Sequence, residues 1–106
     1  MKKTIVRDFD IAEFLDTEEA VSAYLSEVFK DGTEEEIKRA LSDVARARNM
    51  TDIAKKMGVS RPSLYKSLTG TTHTEFGTIR KFLNAVGVQM TIVPSNDNKQ
   101  TKTLVA

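Results

Sequence analysis

Residues Met50 to Gly70, MTDIAKKMGVSRPSLYKSLTG, restrict this chain more than any other stretch. They read as two short helices joined by a tight turn. Ile53, Ala54 and Met57 repeat at helical spacing, which gives the first helix one apolar face. Gly58 follows, where a helix ends by swinging one residue into the left-handed region that glycine tolerates best. Val59 is expected to point back into the core, and Ser60 is a good N-cap for a helix starting at Arg61. Pro62 falls in the first turn, where a missing N–H costs nothing. Leu64 and Leu68, four apart, anchor the second helix and leave Arg61, Ser63 and Lys66 on its outer surface. A helix-turn-helix with a basic outer face has the shape and charge to enter a DNA major groove.

A chain of 106 residues is one small domain, with 40% hydrophobic and 29% charged residues as in an ordinary soluble protein. It has no cysteine, which removes disulfides and zinc-finger chemistry. No apolar run approaches the ~20 residues of a membrane span. The start, MKKTIVRDFD, reaches acidic residues too soon for a signal peptide, so a cytoplasmic protein is expected. The net charge of +1 hides an asymmetry. Residues 1–45 hold 6 Lys/Arg against 12 Asp/Glu, net −6, whereas residues 46–106 hold 10 against 3, net +7. Phosphate binding depends on local basic density, and the basic half contains the helix-turn-helix. Most of the acids suit solvated helix faces; as a group they repel DNA and suit a basic protein partner.

The rest of the chain reads as further helices. Thr4 to Leu15 has no clean helical period and is expected to be an extended arm. Asp16 or Thr17 caps a helix with Val21, Tyr24, Leu25 and Val28 as its buried stripe, closed by Gly32. Thr33 and Glu36 make a capping box for the next, whose core face is Ile37, Ala40, Leu41, Val44 and Ala45. After the motif, Glu75 to Val86 forms a helix with Phe76, Ile79, Phe82, Leu83 and Val86 inward, and Gly87 ends it. VQMTIV then reads as a strand up to Pro94. The expected fold is all-α, a small orthogonal bundle of about five helices with an N-terminal arm and a short C-terminal strand. Residues 1–32 form the arm and first helix, 33–94 the DNA-binding bundle with its strand, and 95–106 a polar tail expected to be disordered.

Residues 33–87 resemble the phage-repressor type of helix-turn-helix domain: Ala54, Gly58, Val59 and Leu64 fall on its usual positions. Over most of its length the chain is similar to the HigA-like addiction-module antidote proteins, the antitoxin half of a bacterial toxin–antitoxin pair. Three blocks carry that likeness: FDIAEFLDTEEAVSAYL, ALSDVARARNMTDIAKKMGVSRPSLYKSL and FGTIRKFLNAVGVQMTIVP. One departure is Ser67, where the repressor pattern has an apolar residue; Leu68 stands next to it. The resemblance implies an antitoxin that binds its cognate toxin protein and represses its own operon on double-stranded operator DNA. A palindromic operator implies a homodimer with recognition helices about one DNA turn (~34 Å) apart.

On the recognition helix, Arg61 stands where repressors contact a base or a phosphate, and the two readings weigh equally. Lys66 suits a groove or phosphate contact, Ser63 a base or sugar edge, and Pro62 an apolar contact such as a thymine methyl. Tyr65 either reaches phosphate or packs its ring partly inside. Backbone contacts are expected from Thr51, which opens the first motif helix, from Ser60, and from Thr71, Thr72 and His73 in the following loop. Arg46, Arg48, Lys55, Lys56, Arg80 and Lys81 add general positive field. The arm residues Ile5, Phe9, Ile11 and Phe14 are candidates for toxin or dimer contact, or pack on their own bundle.

His73 is the only histidine, no Gly-rich phosphate loop follows a strand, and Glu34, Glu35 and Glu36 fan around a helix end. No catalytic residue, metal or cofactor is therefore expected. The competing readings are a stand-alone phage- or plasmid-type repressor without a toxin, and a protein-interaction module that no longer binds DNA.

Overall fold

The computed structural model describes residues 10–70 and 73–95. Among these, a short 3-10 helix, Ile11–Phe14, precedes five α-helices: α1 (Glu18–Asp31), α2 (Glu34–Ala47), α3 (Met50–Met57), α4 (Arg61–Thr69) and α5 (Phe76–Ala85). Ile5, Phe9, Thr71, Thr72 and the tail from Asn96 lie outside the described residues. No described helix is long and apolar enough to cross a membrane.

Helix starts follow side-chain chemistry. Thr17, not Asp16, caps α1: its hydroxyl accepts the Ala20 N–H at 3.0 Å. Both halves of the α2 capping box form, with Thr33 Oγ1 accepting from Glu36 N at 3.1 Å and Glu36 Oε1 accepting from Thr33 N at 2.9 Å. α3 begins earlier than the sequence suggests. Asn49 is its cap, with φ of 79°, and Asn49 Oδ1 accepts the Asp52 N–H at 3.1 Å. Asparagine tolerates that left-handed backbone far better than threonine does. Thr51 therefore sits within the first turn of α3 instead of opening it.

Gly58, at φ 77°, ends α3 as expected. The Gly58 N–H reaches Lys55 O at 3.1 Å and the Val59 N–H reaches Ala54 O at 3.0 Å, which closes the helix end. The turn uses the amide of Val59 and leaves its side chain 40% exposed, so the expected core contact is not made. Ser60 then caps α4, its hydroxyl accepting the Ser63 N–H at 3.1 Å.

α2 lies at the centre, packed against the 3-10 helix, α1, α3 and α4, while α5 closes the bundle against α3. Val21, Leu41, Val44, Ile53, Leu64 and Phe82 are fully or almost fully buried in one continuous core. Burying each large side chain contributes about 1.5–3 kcal/mol. Ser67 does not disturb α4, because Leu64 and Leu68 both reach this core.

Two expectations need correction. Ile11–Phe14 is a 3-10 helix, not an extended arm, because Asp10 Oδ1 accepts the Ala12 N–H at 3.1 Å and nucleates the turn. Phe76, the first residue of α5, lies at the edge of the bundle and is 62% exposed; Ile79, Phe82, Leu83 and Val86 are the inward residues. The strand expected over VQMTIV is not seen among the described residues.

Candidate nucleic-acid interface

α4 is held from beneath by Leu64 and Leu68, at 1% and 2% exposure, so its opposite face must point to solvent. Arg61, Pro62, Ser63, Tyr65 and Lys66 are all exposed. Pro62, Ser63 and Lys66 lie away from the leucines, whereas Arg61 stands at the exposed first turn, three residues before Leu64 on the same row. The first turn of α4 abuts the first turn of α3: Arg61 Nη1 donates to Thr51 Oγ1 at 3.1 Å. Two of the residues singled out from sequence, ten positions apart, thus meet on one surface. Tyr65 is 57% exposed, which decides against a buried ring. The Ser60 oxygen is occupied as a cap acceptor, leaving its hydroxyl hydrogen as the group it can still offer.

The end of α4 is fixed by α2. Lys38 Nζ donates to Gly70 O at 2.6 Å, and Thr74 Oγ1 donates to Ser67 O at 2.7 Å just beyond. His73 is exposed, with Nδ1 at 3.1 Å from Glu34 Oε2. It therefore faces the acidic start of α2 across an open cleft of about 560 Å³ that also includes Lys38, Arg39 and Thr69. This places His73 beside a carboxylate.

The electrostatics are more localised than sequence alone suggests. From residue 46 to 70 the chain has six Lys/Arg and a single acid, Asp52, which pairs with Lys56 at 3.3 Å. Arg46 and Arg48 do not add to a general field as expected. Arg46 grips Asp10 at 3.0 Å and Asp43 at 2.7 Å, and Arg48 lies 3.5 Å from Glu18. Arg80 lines a hollow with Asn84, Gln89 and Met90. Lys55, Arg61 and Lys66 remain as the exposed cations of the α3–α4 surface.

A second constellation escaped the sequence reading. The Tyr24 hydroxyl donates to Asp43 Oδ2 at 3.0 Å, which completes a chain Tyr24–Asp43–Arg46–Asp10. Burial first, then the bond to Asp43, push the Tyr24 phenol up to about 12. The Ala12 N–H and then Arg46 hold Asp10 below the usual carboxylate range, and both carboxylates raise Arg46. The chain pins the front of the molecule to α2. Only the spacing of Asp43 and Arg46, one helical turn apart, hinted at it. Of the toxin or dimer candidates, Ile11 packs against the core and Phe14 is 56% exposed.

A family model described as "probable addiction module antidote protein" matches residues 5–94, which span every described helix. The chain belongs to this antidote family. An uncharacterized protein of Haemophilus influenzae is similar to this chain, 43% identical over 90 residues that cover 85% of this chain and 93% of its own. No solved structure matches.

Proposed function

We propose that this antidote is the antitoxin of a toxin–antitoxin module, a HigA-like chain that neutralises a cognate toxin protein and represses its own operon. α3 and α4 act as a phage-repressor-type helix-turn-helix, and a homodimer binds operator DNA in the cytoplasm. It works by binding, with no catalytic role. Membership of the antidote family supports the toxin-directed half of this reading. The observation that carries the DNA-directed half is the exposed surface of α4, with Arg61 at its first turn and Ser63 and Lys66 on the side away from buried Leu64 and Leu68. In a major groove, Arg61 meets a base edge or phosphate, and Lys66 a phosphate. Thr51, Ser60 and, from the sequence, Thr71, Thr72 and His73 are the proposed contacts to the DNA backbone. Ile5, Phe9, Ile11 and Phe14 are the front-end candidates for partner contact.

The test is a gel shift of the full chain on its own upstream DNA across a salt series. Binding weakens steeply with salt, and Arg61→Ala lowers affinity about 5- to 150-fold, roughly 1–3 kcal/mol. Lys66→Ala lowers the salt slope by about one. If neither substitution moves operator affinity, α4 is not the reading helix. For the toxin-directed half, the product of the neighbouring gene is co-expressed with the antidote. Rescue of growth with co-purification is expected, and failure of both removes the antitoxin reading while leaving a repressor.

A further inference from the structure

The segment after α5 has few hydrogen bonds of its own up to Pro94 among the described residues. Gly87, at φ 88°, turns the chain out of α5, and the Val88 N–H is spent on Leu83 O at 3.0 Å. From Gln89 to Pro94 no backbone group bonds to another described residue. Along this stretch Ile92 is 95% exposed, Val93 72% and Met90 37%. An open groove of about 350 Å³ runs between α1 and the segment, lined among others by Leu25, Phe29, Leu83, Val88 and Met90. No charged residue occurs from Phe82 through Asn96, in a chain with 29% charged residues. Exposed strand edges are ordinarily defended by charges, above all lysine, and here only Pro94 interrupts the edge.

We propose that residues 88–93 form a seam on which two copies of this chain pair as antiparallel strands, centred on Met90. It rests on the homodimer reading above only for its purpose; the segment itself supplies the reasons. Pairing about Met90 is isologous, so each copy supplies the same surface and the contact closes at two subunits. Val88 of one copy then faces Ile92 of the second copy, Ile92 faces Val88, and Met90 faces Met90. Every apolar residue on that face gains an apolar partner, and the backbone groups of 89–93 gain a ladder. A shift of one residue sets Ile92 against Gln89 and Met90 against Thr91, which loses the match. A shift of two brings Pro94, with no N–H, opposite Val88. The lack of charge suits a self-pairing, in which any charge at the centre would face its own copy.

The test uses the full chain without DNA or toxin, so failure of this seam and failure of operator or toxin binding are read separately. Sedimentation of the unaltered chain at high micromolar concentration is expected to give a dimer. Ile92→Lys weakens that dimer about tenfold or more by burying an unpaired charge, with an unchanged helical circular dichroism spectrum. Because the chain has no cysteine, Met90→Cys is a single reporter. Paired antiparallel residues have Cα atoms about 4.5–5.5 Å apart, within disulfide reach, so mild oxidation traps most of this variant as a covalent dimer. Asp31→Cys, at the exposed end of α1, stays monomeric on denaturing gels. A monomeric chain overturns the homodimer reading and the seam together. A dimer that Ile92→Lys leaves intact and in which Met90→Cys stays reduced overturns the seam alone.

Discussion

Gly58 and Gly87 share a left-handed backbone, at φ 77° and 88°, but differ in what a methyl group would meet. At Gly58 an added Cβ finds nothing within 4 Å, so Gly58→Ala is expected to cost only its backbone strain, about 1 kcal/mol. At Gly87 the same atom falls 2.7 Å from Glu18 Cγ, and Glu18 must also move. Gly87→Ala should therefore lower the urea midpoint more than Gly58→Ala; equal midpoints would remove Glu18 from the explanation. Both glycines were legible in the sequence, because few other residues meet that backbone requirement. Asn49 was not. Asn49 and Thr51 both carry capping oxygens, and only the φ of 79° at Asn49 decides between them. Exposure at Val59 and Phe76 was equally illegible, since both occupy apolar positions of a periodic pattern but sit where the bundle has run out of neighbours.

Caps and stripes at the scale of the helix were readable for a related reason: they act within one turn of the chain. Thr33→Ala removes an acceptor and breaks the reciprocal box, and is expected to destabilise by about 1 kcal/mol in urea unfolding. Ser60→Ala should cost a similar amount and fray the first turn of α4, where Arg61 begins. A loss below a few tenths of a kcal/mol for either variant would show that the cap is redundant. Leu64→Ala, at 1% exposure, should cost about 2–5 kcal/mol. The contrast is VQMTIV. Its composition suits a strand, yet a strand exists only beside another backbone, and a local pattern cannot supply one. The 3-10 helix was missed because it depends on a single carboxylate at Asp10 rather than on periodicity.

For the whole molecule, the division of charge was visible in the sequence, but the assignment of individual arginines was not. Arg46 and Arg48 look like part of the basic half and are instead bound to acids from Asp10, Asp43 and Glu18. Such pairs join residues up to 36 apart, and no local spacing reports them. They carry a pH signature. Asp10 titrates below its ordinary 3.8 in the fold, so its contribution is complete above that value and is lost as pH falls through the lower folded value. Asp10→Asn should flatten the acid limb of a stability profile. Tyr24 moves the other way, from 10.0 to about 12. The fold favours the protonated phenol, a contribution complete below pH 10 and lost as pH rises through about 12. Tyr24→Phe should remove that alkaline limb and cost about 1 kcal/mol at neutral pH; an unchanged profile would exclude the Tyr24 phenol as its source. One helix links these ties. Lys38 secures the end of α4, and Asp43 and Arg46 secure the front of the chain, from positions about 8–12 Å further along α2. α2 is thus a shared spar, and a blow that cracks it slackens the moorings of both extremities together.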